Sequence, residues 1–325
     1  MKGGSWSRLR LLLTAGSLAL AVSVALAACG SGKKSSSSAS TAAASGSSAA
    51  SGPGAGKPAV TIGDKNFPEE NILGALYVQA LRAKGYTVAL KDNVGSTEII
   101  YKALKAGRIE MYPEYTGILL SAVANETKPQ ASEKAAYEKA KVFVEKEGLT
   151  MTQPTPFFDS DALGTTAAYA SKHKLSSIAD LKPLGKSVTL GGAPEFSTRF
   201  QGLVGLRQEY GVDPTFKPIA IELSYKALEG GQVDVQDVFT TDGQLLSGKV
   251  KLLADPKHVF GFQNVAPVVN KSVLAAEGRA FEETLNKVSA LLTTKAIQQM
   301  NAAVTIDKQS ATTVAHQFLV ANGLA

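Results

Sequence analysis

Residues 101–111 read YKALKAGRIEM, and residues 225–235 read YKALEGGQVDV. The first four residues are identical, a glycine recurs at the seventh place (Gly107, Gly231), and each copy closes on an apolar–acid–apolar triplet. In the same register Tyr115 stands against Phe239 and Thr116 against Thr240. Upstream, with a small gap, Val60-Thr61-Ile62-Gly63 stands against Val188-Thr189-Leu190-Gly191. Units this far apart are not solenoid repeats, which recur every ~20–50 residues. They predict two similar α/β lobes, each strand–helix–strand–helix–strand. Ligands of open α/β sheets bind beyond the carboxyl ends of the strands. The loops carrying Tyr115 and Phe239 are therefore expected to face a shared cleft.

Local signals fill in each copy. After a strand at 60–63, Pro68 suits a first helical position, with Glu69 and Glu70 in the first turn and Gly85 as the stop. A strand at 87–90 follows, then a helix capped by Ser96 and ended by Gly107. The third strand, 109–112, is expected to break at Pro113, before the Glu114-Tyr115-Thr116-Gly117 loop, and 132–147 reads as an exposed helix. Residues 153–170 read as an extended crossover into the second lobe, whose strands are expected at 188–190, 217–219 and 233–239. Further strands are expected at 251–253 and 265–270, the latter crossing back to the first lobe, before helices near 280–292, 294–303 and 308–322. Two crossings suit a hinge that closes around a ligand.

At the start of the chain, Lys2, Arg8 and Arg10 precede an uncharged apolar run over 11–28, the pattern of an export signal. The run ends in Leu26-Ala27-Ala28-Cys29, and Cys29 is the only cysteine, so no intramolecular disulfide is possible. This end resembles a bacterial lipobox, which implies a signal peptide over 1–28 and a lipid anchor on Cys29 at the extracytoplasmic face. Residues 29–57 are mostly Ser, Ala and Gly, the composition of a flexible tether. The whole net charge of +6 resides in residues 1–57, which contain no acid, so the remainder is balanced. A nucleic-acid binder would carry a basic folded domain, so no nucleic-acid partner is expected. His173, His258 and His316 are scattered, and no zincin, CxxC, nucleophile-elbow or P-loop motif is present in the folded part. Neither catalysis nor a metal or cofactor is expected.

Longer motifs carry a resemblance. Residues 60–69 (VTIGDKNFPE), Gly95-Ser96 and residues 112–117 (YPEYTG) are similar to the first half of osmoprotectant-binding proteins, which take up glycine betaine, choline or carnitine. Ala193-Pro194-Glu195-Phe196, Thr241-Asp242-Gly243-Gln244 and Ala266-Pro267-Val268-Val269 are similar to the second half. The resemblance implies a two-lobe, periplasmic-binding-protein-like (type II) α/β fold, with lobe I at 58–160 plus 265–325 and lobe II at 161–264. It also implies a monomeric receptor that delivers a small solute to ABC permease and ATPase subunits. A trimethylammonium has no N–H to donate, so aromatic faces hold it at about 0.5–2 kcal/mol each, while a carboxylate on the same ligand needs Lys or Arg.

Carried over residue by residue, the resemblance makes Tyr115 a cage tyrosine and Lys65 and Arg199 the carboxylate-holding cations. Phe239 keeps a ring where a cage tyrosine is expected. Asp161 and Gln263 stand where further tyrosines are expected, Asn264 adjoins Gln263, and Ile118 replaces the Thr or Asp that commonly follows YTG. Losing two of about four rings would remove on the order of 1–4 kcal/mol from a methylammonium pocket. Asp161 could compensate by attracting a cation, or could accept hydrogen bonds from a polyol, sugar-like or phenolic ligand. A lipid-tethered sensory or adhesion module built on the same scaffold is the remaining alternative.

Overall fold

The computed structural model describes residues 52–126, 128 and 130–325. The expected signal peptide, Cys29 and the tether as far as residue 51 lie outside the described residues. Residues 52–57, expected to end the tether, instead pack onto the folded body. Gly54 N donates to Lys84 O at 3.0 Å, and Lys57 Nζ donates to Ala276 O at 2.7 Å.

The chain begins β1 (Val60–Gly63), α1 (Pro68–Ala83), β2 (Val88–Lys91), α2 (Thr97–Lys105), β3 (Met111–Tyr115), α3 (Thr116–Ala122), α4 (Glu133–Glu145) and β4 (Leu149–Met151). It continues β5 (Asp161–Thr166), α5 (Ala167–His173), β6 (Thr189–Gly192), β7 (Thr215–Pro218), α6 (Ser224–Glu229), β8 (Val235–Phe239) and β9 (Val250–Leu252). It ends β10 (Val265–Asn270), α7 (Lys271–Glu277), α8 (Arg279–Leu291), α9 (Thr294–Thr305) and α10 (Ala311–Ala321).

These strands make two five-stranded sheets, ordered β2-β1-β3-β10-β4 and β7-β6-β8-β5-β9. The pairings correspond one for one. β1 is parallel to β2 and β3 as β6 is to β7 and β8, while β10 is antiparallel to β3 and β4 as β5 is to β8 and β9. In each sheet the antiparallel fourth strand arrives by a crossover. The sheets also bury separate cores. Leu73, Leu76, Phe281, Leu285 and Leu319 pack in one core of the first sheet, Ile100, Leu104, Tyr112 and Leu119 in another, and Leu163, Leu190, Leu206 and Val235 pack within the second sheet's half. Met111 joins the first of these cores and its neighbour Tyr112 the second, as strand side chains alternate between faces.

The repeat has a physical cause that recurs bond for bond. Gly107 and Gly231 take φ of 63° and 66°, where a side chain is disfavoured, and so end α2 and α6. The acid that follows then ties down the first strand. Thr61 N donates to Glu110 Oε2 at 2.6 Å, and Thr189 N donates to Asp234 Oδ2 at 2.8 Å.

Two expectations need correction. β3 does not stop at Pro113 but runs through it to Tyr115, because Pro113 pairs with Pro267 of β10. Neither proline has an N–H, so they face each other where antiparallel strands exchange no bond. The regular helix that the repeat predicts after β6 is also missing. Residues 194–210 form short 3₁₀ and π turns, with non-helical Gln201 and Gly202 inside. A Cβ at Gly202 or Gly205 would collide with the carbonyl oxygens of Phe196 and Phe200. Among the described residues no helix is long and apolar enough to cross a membrane.

Candidate ligand-binding site

A cavity of about 80 Å³ opens between the two sheets, lined from both. The first sheet's side supplies Lys65 and Phe67 from the loop after β1, Tyr115 from the end of β3, and Ile118 from α3. The other side supplies Asp161, Arg199, Asp237 and Phe239, and the returning crossover supplies Gln263. Tyr115 and Phe239, paired by the sequence repeat, thus line one cavity.

The first wall is aromatic and saturated with internal bonds. Phe67 lies 6.0 Å from Tyr115 at 37° and 6.1 Å from Phe239 at 12°, so three rings form one continuous run joining the two sides. Tyr115 OH donates to Glu69 Oε1 at 2.7 Å, and burial beside Glu69 holds its phenol well above its ordinary pKa, hence neutral. Lys65 is buried, and its ammonium pairs with Glu114 Oε1 at 2.7 Å, within 3.3 Å of Thr97 Oγ1. Lys65 Nζ also lies 4.3 Å from the Tyr115 ring centroid and 5.7 Å from that of Phe67. Its charge is therefore already matched, unlike the open carboxylate-holding cation implied by the resemblance. Glu114 anchors this arrangement, since Tyr112 OH and Tyr115 N donate to it at 2.8 and 2.7 Å as well.

The second wall leaves polar atoms unmatched. Arg199 reaches across the cleft, its Nη2 donating to Glu98 Oε1 and Oε2 at 3.0 and 3.1 Å, while its buried Nε has no partner. The bend at 194–210 turns the Arg199 guanidinium towards α2. The same bend brings Gln201 Nε2 to Gly117 O at 3.0 Å and leaves Gln201 Oε1 buried without a partner. Asp161 and Asp237 sit on adjacent antiparallel strands. Burial raises the Asp161 carboxyl to about 6 despite nearby Arg199, and burial together with Asp161 raises Asp237 well above the usual range. The pair therefore shares protons and gains negative charge once a cation is near.

Gln263 and Asn264 differ in role. The Gln263 side chain lines the cavity, but Oε1 accepts from Ile118 N at 2.8 Å and Nε2 donates to Phe260 O at 3.0 Å. Asn264 is not part of the lining. It stitches the two crossovers together, donating from Nδ2 to Thr155 O at 3.1 Å and to Phe157 O at 3.2 Å. Gly117 lies so close to this return path that a Cβ would sit 2.7 Å from Phe262 O. Sequence reading missed Phe67, Gln201, Asp237 and the anchoring role of Glu114. Strand alternation could have found Asp237, because it stands two residues before Phe239 on the same face of β8.

Two lobes on crossed-over sheets, closing on a cavity at the strand ends, define a solute receptor of the periplasmic-binding-protein type. The chain belongs to the family described as the substrate binding domain of ABC-type glycine betaine transport systems, whose model matches residues 58–321. It is 32% identical over 270 residues to the glycine-betaine-binding protein of Pseudomonas aeruginosa, covering 79% of this chain and 86% of that one. It is 28% identical over 271 residues to an ergothioneine transport permease/ergothioneine binding protein of Helicobacter pylori, covering 82% of this chain and 48% of that one. A glycine betaine/carnitine/choline ABC transporter crystal structure is similar at a TM-score of 0.68 and 25% identity, covering 82% of this chain and 99% of that one.

Proposed function

We propose that this receptor holds a quaternary ammonium solute of the glycine betaine, choline or carnitine type between its lobes and presents it to the importer's permease. The observation that carries the reading is the Tyr115–Phe67–Phe239 run of rings facing the carboxylates of Asp161 and Asp237. Aromatic faces suit a methylated cation that lacks N–H donors, and carboxylates supply the attraction that two missing rings would have given. The unpartnered Arg199 Nε is the group left to meet a ligand carboxylate, since Lys65 is already paired. Glycine betaine, ergothioneine and carnitine, named for the relatives, all combine a trimethylammonium with a carboxylate. The lobes are taken as 58–160 plus 265–325 and 161–264, a division supported by the two sheets and their cores.

Titration calorimetry tests the reading with choline against its uncharged carbon isostere. Choline is expected to bind about tenfold tighter, and Tyr115→Ala to remove about tenfold of that affinity while also lowering the melting temperature, because the ring is buried. Equal binding of the two compounds would sink the cage. The sequence from Lys2 to Cys29 supports anchoring of the receptor by lipid at the outer membrane face, where it acts as a monomer. Cys29→Ser should release it into the soluble extracytoplasmic fraction; retention with the membrane would count against the anchor.

A further inference from the structure

A second cavity, of about 220 Å³, adjoins the first and shares Phe67, Phe239, Asp159 and Asp237 with it. Its walls are acidic, from Glu69, Asp159, Asp237, Asp242 and Glu222, against a single cation, Lys308, whose Nζ donates to Thr305 O at 2.7 Å. Among the other donors along its wall, those of Tyr225, Thr241 and Asn301 are already used. Tyr225 OH donates to Asp242 at 2.8 Å, Thr241 Oγ1 to Glu69 at 2.5 Å, and Asn301 Nδ2 to Glu69 and Thr241 O at 2.8 and 2.9 Å. Those two bonds fix the Asn301 amide, leaving its Oδ1 as a buried acceptor without a partner on a side chain only 4% exposed. Such a wall offers negative charge and acceptors, which matches a ligand group that brings positive charge and N–H donors. Among the described residues no cluster of three or more His, Cys, Asp or Glu is placed to hold a metal ion, and the unpartnered Asn301 Oδ1 suits an N–H donor.

We propose that this second cavity is a subsite for a primary ammonium or guanidinium at the far end of an elongated solute, whose methylated ammonium lies against Tyr115, Phe67 and Phe239. The inference rests on the reading of the first cavity given above. The two cavities meet at the Phe67–Phe239 stack and share two carboxylates, so a single flexible alkyl chain passing the rings can place one charge in each. Burial keeps Glu69, Asp159 and Asp242 above their ordinary carboxyl range, and repulsion from Glu69 adds to the rise at Asp159 and Asp242. An arriving ammonium relieves that repulsion.

The test compares (aminobutyl)trimethylammonium with butyltrimethylammonium by titration calorimetry. The two differ only in the terminal ammonium. The amino compound should bind about tenfold tighter to the wild type, as expected for a charged group meeting buried acceptors. Val304→Phe, which fills the second cavity alone, and Glu222→Gln on its exposed rim should each shrink that advantage, the first nearly abolishing it. Both should leave butyltrimethylammonium within about twofold. Equal affinity of the two probes for the wild type overturns the subsite, as does a loss that falls equally on both probes in both variants. Tight binding of the amino compound alone, with none of butyltrimethylammonium, upholds the subsite while refuting the aromatic cage.

Discussion

The two walls of the cleft grow from matching stretches of the repeat and are finished in opposite ways. β3 ends in Glu114 and Tyr115; at the matching positions β8 ends in Val238 and Phe239. On the first side the extra carboxylate neutralises Lys65 and ties Tyr112 and Tyr115 together, so the wall is complete before any ligand arrives. On the second side Arg199 Nε and Gln201 Oε1, in the bend at 194–210, and Asp237 Oδ1, on β8, are buried without partners. A buried polar atom without a partner costs on the order of 1–3 kcal/mol, a cost that a ligand can remove. The difference separates labour: one wall supplies a rigid apolar face, and the other supplies polar atoms that only a ligand satisfies.

Three experiments would break or sharpen that contrast. The largest effect is expected from Glu114→Ala, which leaves the buried Lys65 ammonium with Glu70 Oε1 at 3.9 Å as its nearest carboxylate and should lower unfolding stability by about 3–5 kcal/mol, read by urea denaturation. A loss below about 1 kcal/mol would show that the first wall does not depend on this pair. Next, Gly107→Ala and Gly231→Ala should each cost about 1–2 kcal/mol, because both glycines have positive φ and open space around them. Unequal costs would mean that the two copies no longer share one physical role. The smallest effect concerns pH and the second wall. The Asp161 carboxyl lies at about 6 in the fold against an ordinary 3.8, so the protonated form favours the folded state. That contribution is fully present below about pH 4 and fades as pH rises through about 6. Affinity for a cation runs the other way, and should rise about fivefold between pH 5 and 7.5. Asp161→Asn should flatten this rise, whereas Tyr115→Phe on the first wall should leave it in place.

Much of the architecture was legible because it rests on local chemistry. Gly107 and Gly231 mark helix ends through backbone conformation, and the apolar run at 265–270 announces a buried strand wherever its partners lie. The limits of β3 were misread because the rule that proline breaks a strand omits the partner, and here the partner is Pro267. The regular helix expected after β6 failed for a long-range reason as well: Gly202 and Gly205 let the chain fold onto its own carbonyls and reach α3. The resemblance supplied the cavity-lining positions of Tyr115, Arg199 and Phe239. It could not supply partners such as Glu114 for Lys65 or Glu98 for Arg199, which lie dozens of residues away. Phe67 escaped notice because nothing local marks a ring in the loop between β1 and α1 as the bridge between two distant rings.

The exchange of strands has a consequence for how the molecule is made. All strands of the second sheet lie within 161–252, so it can be completed as soon as that segment has been synthesised. The first sheet keeps a gap between β3 and β4 until β10 arrives. The half that is translated first is thus the half sealed last. Any truncation before residue 265 would leave β3 with a bare edge, the kind of surface on which neighbouring chains aggregate.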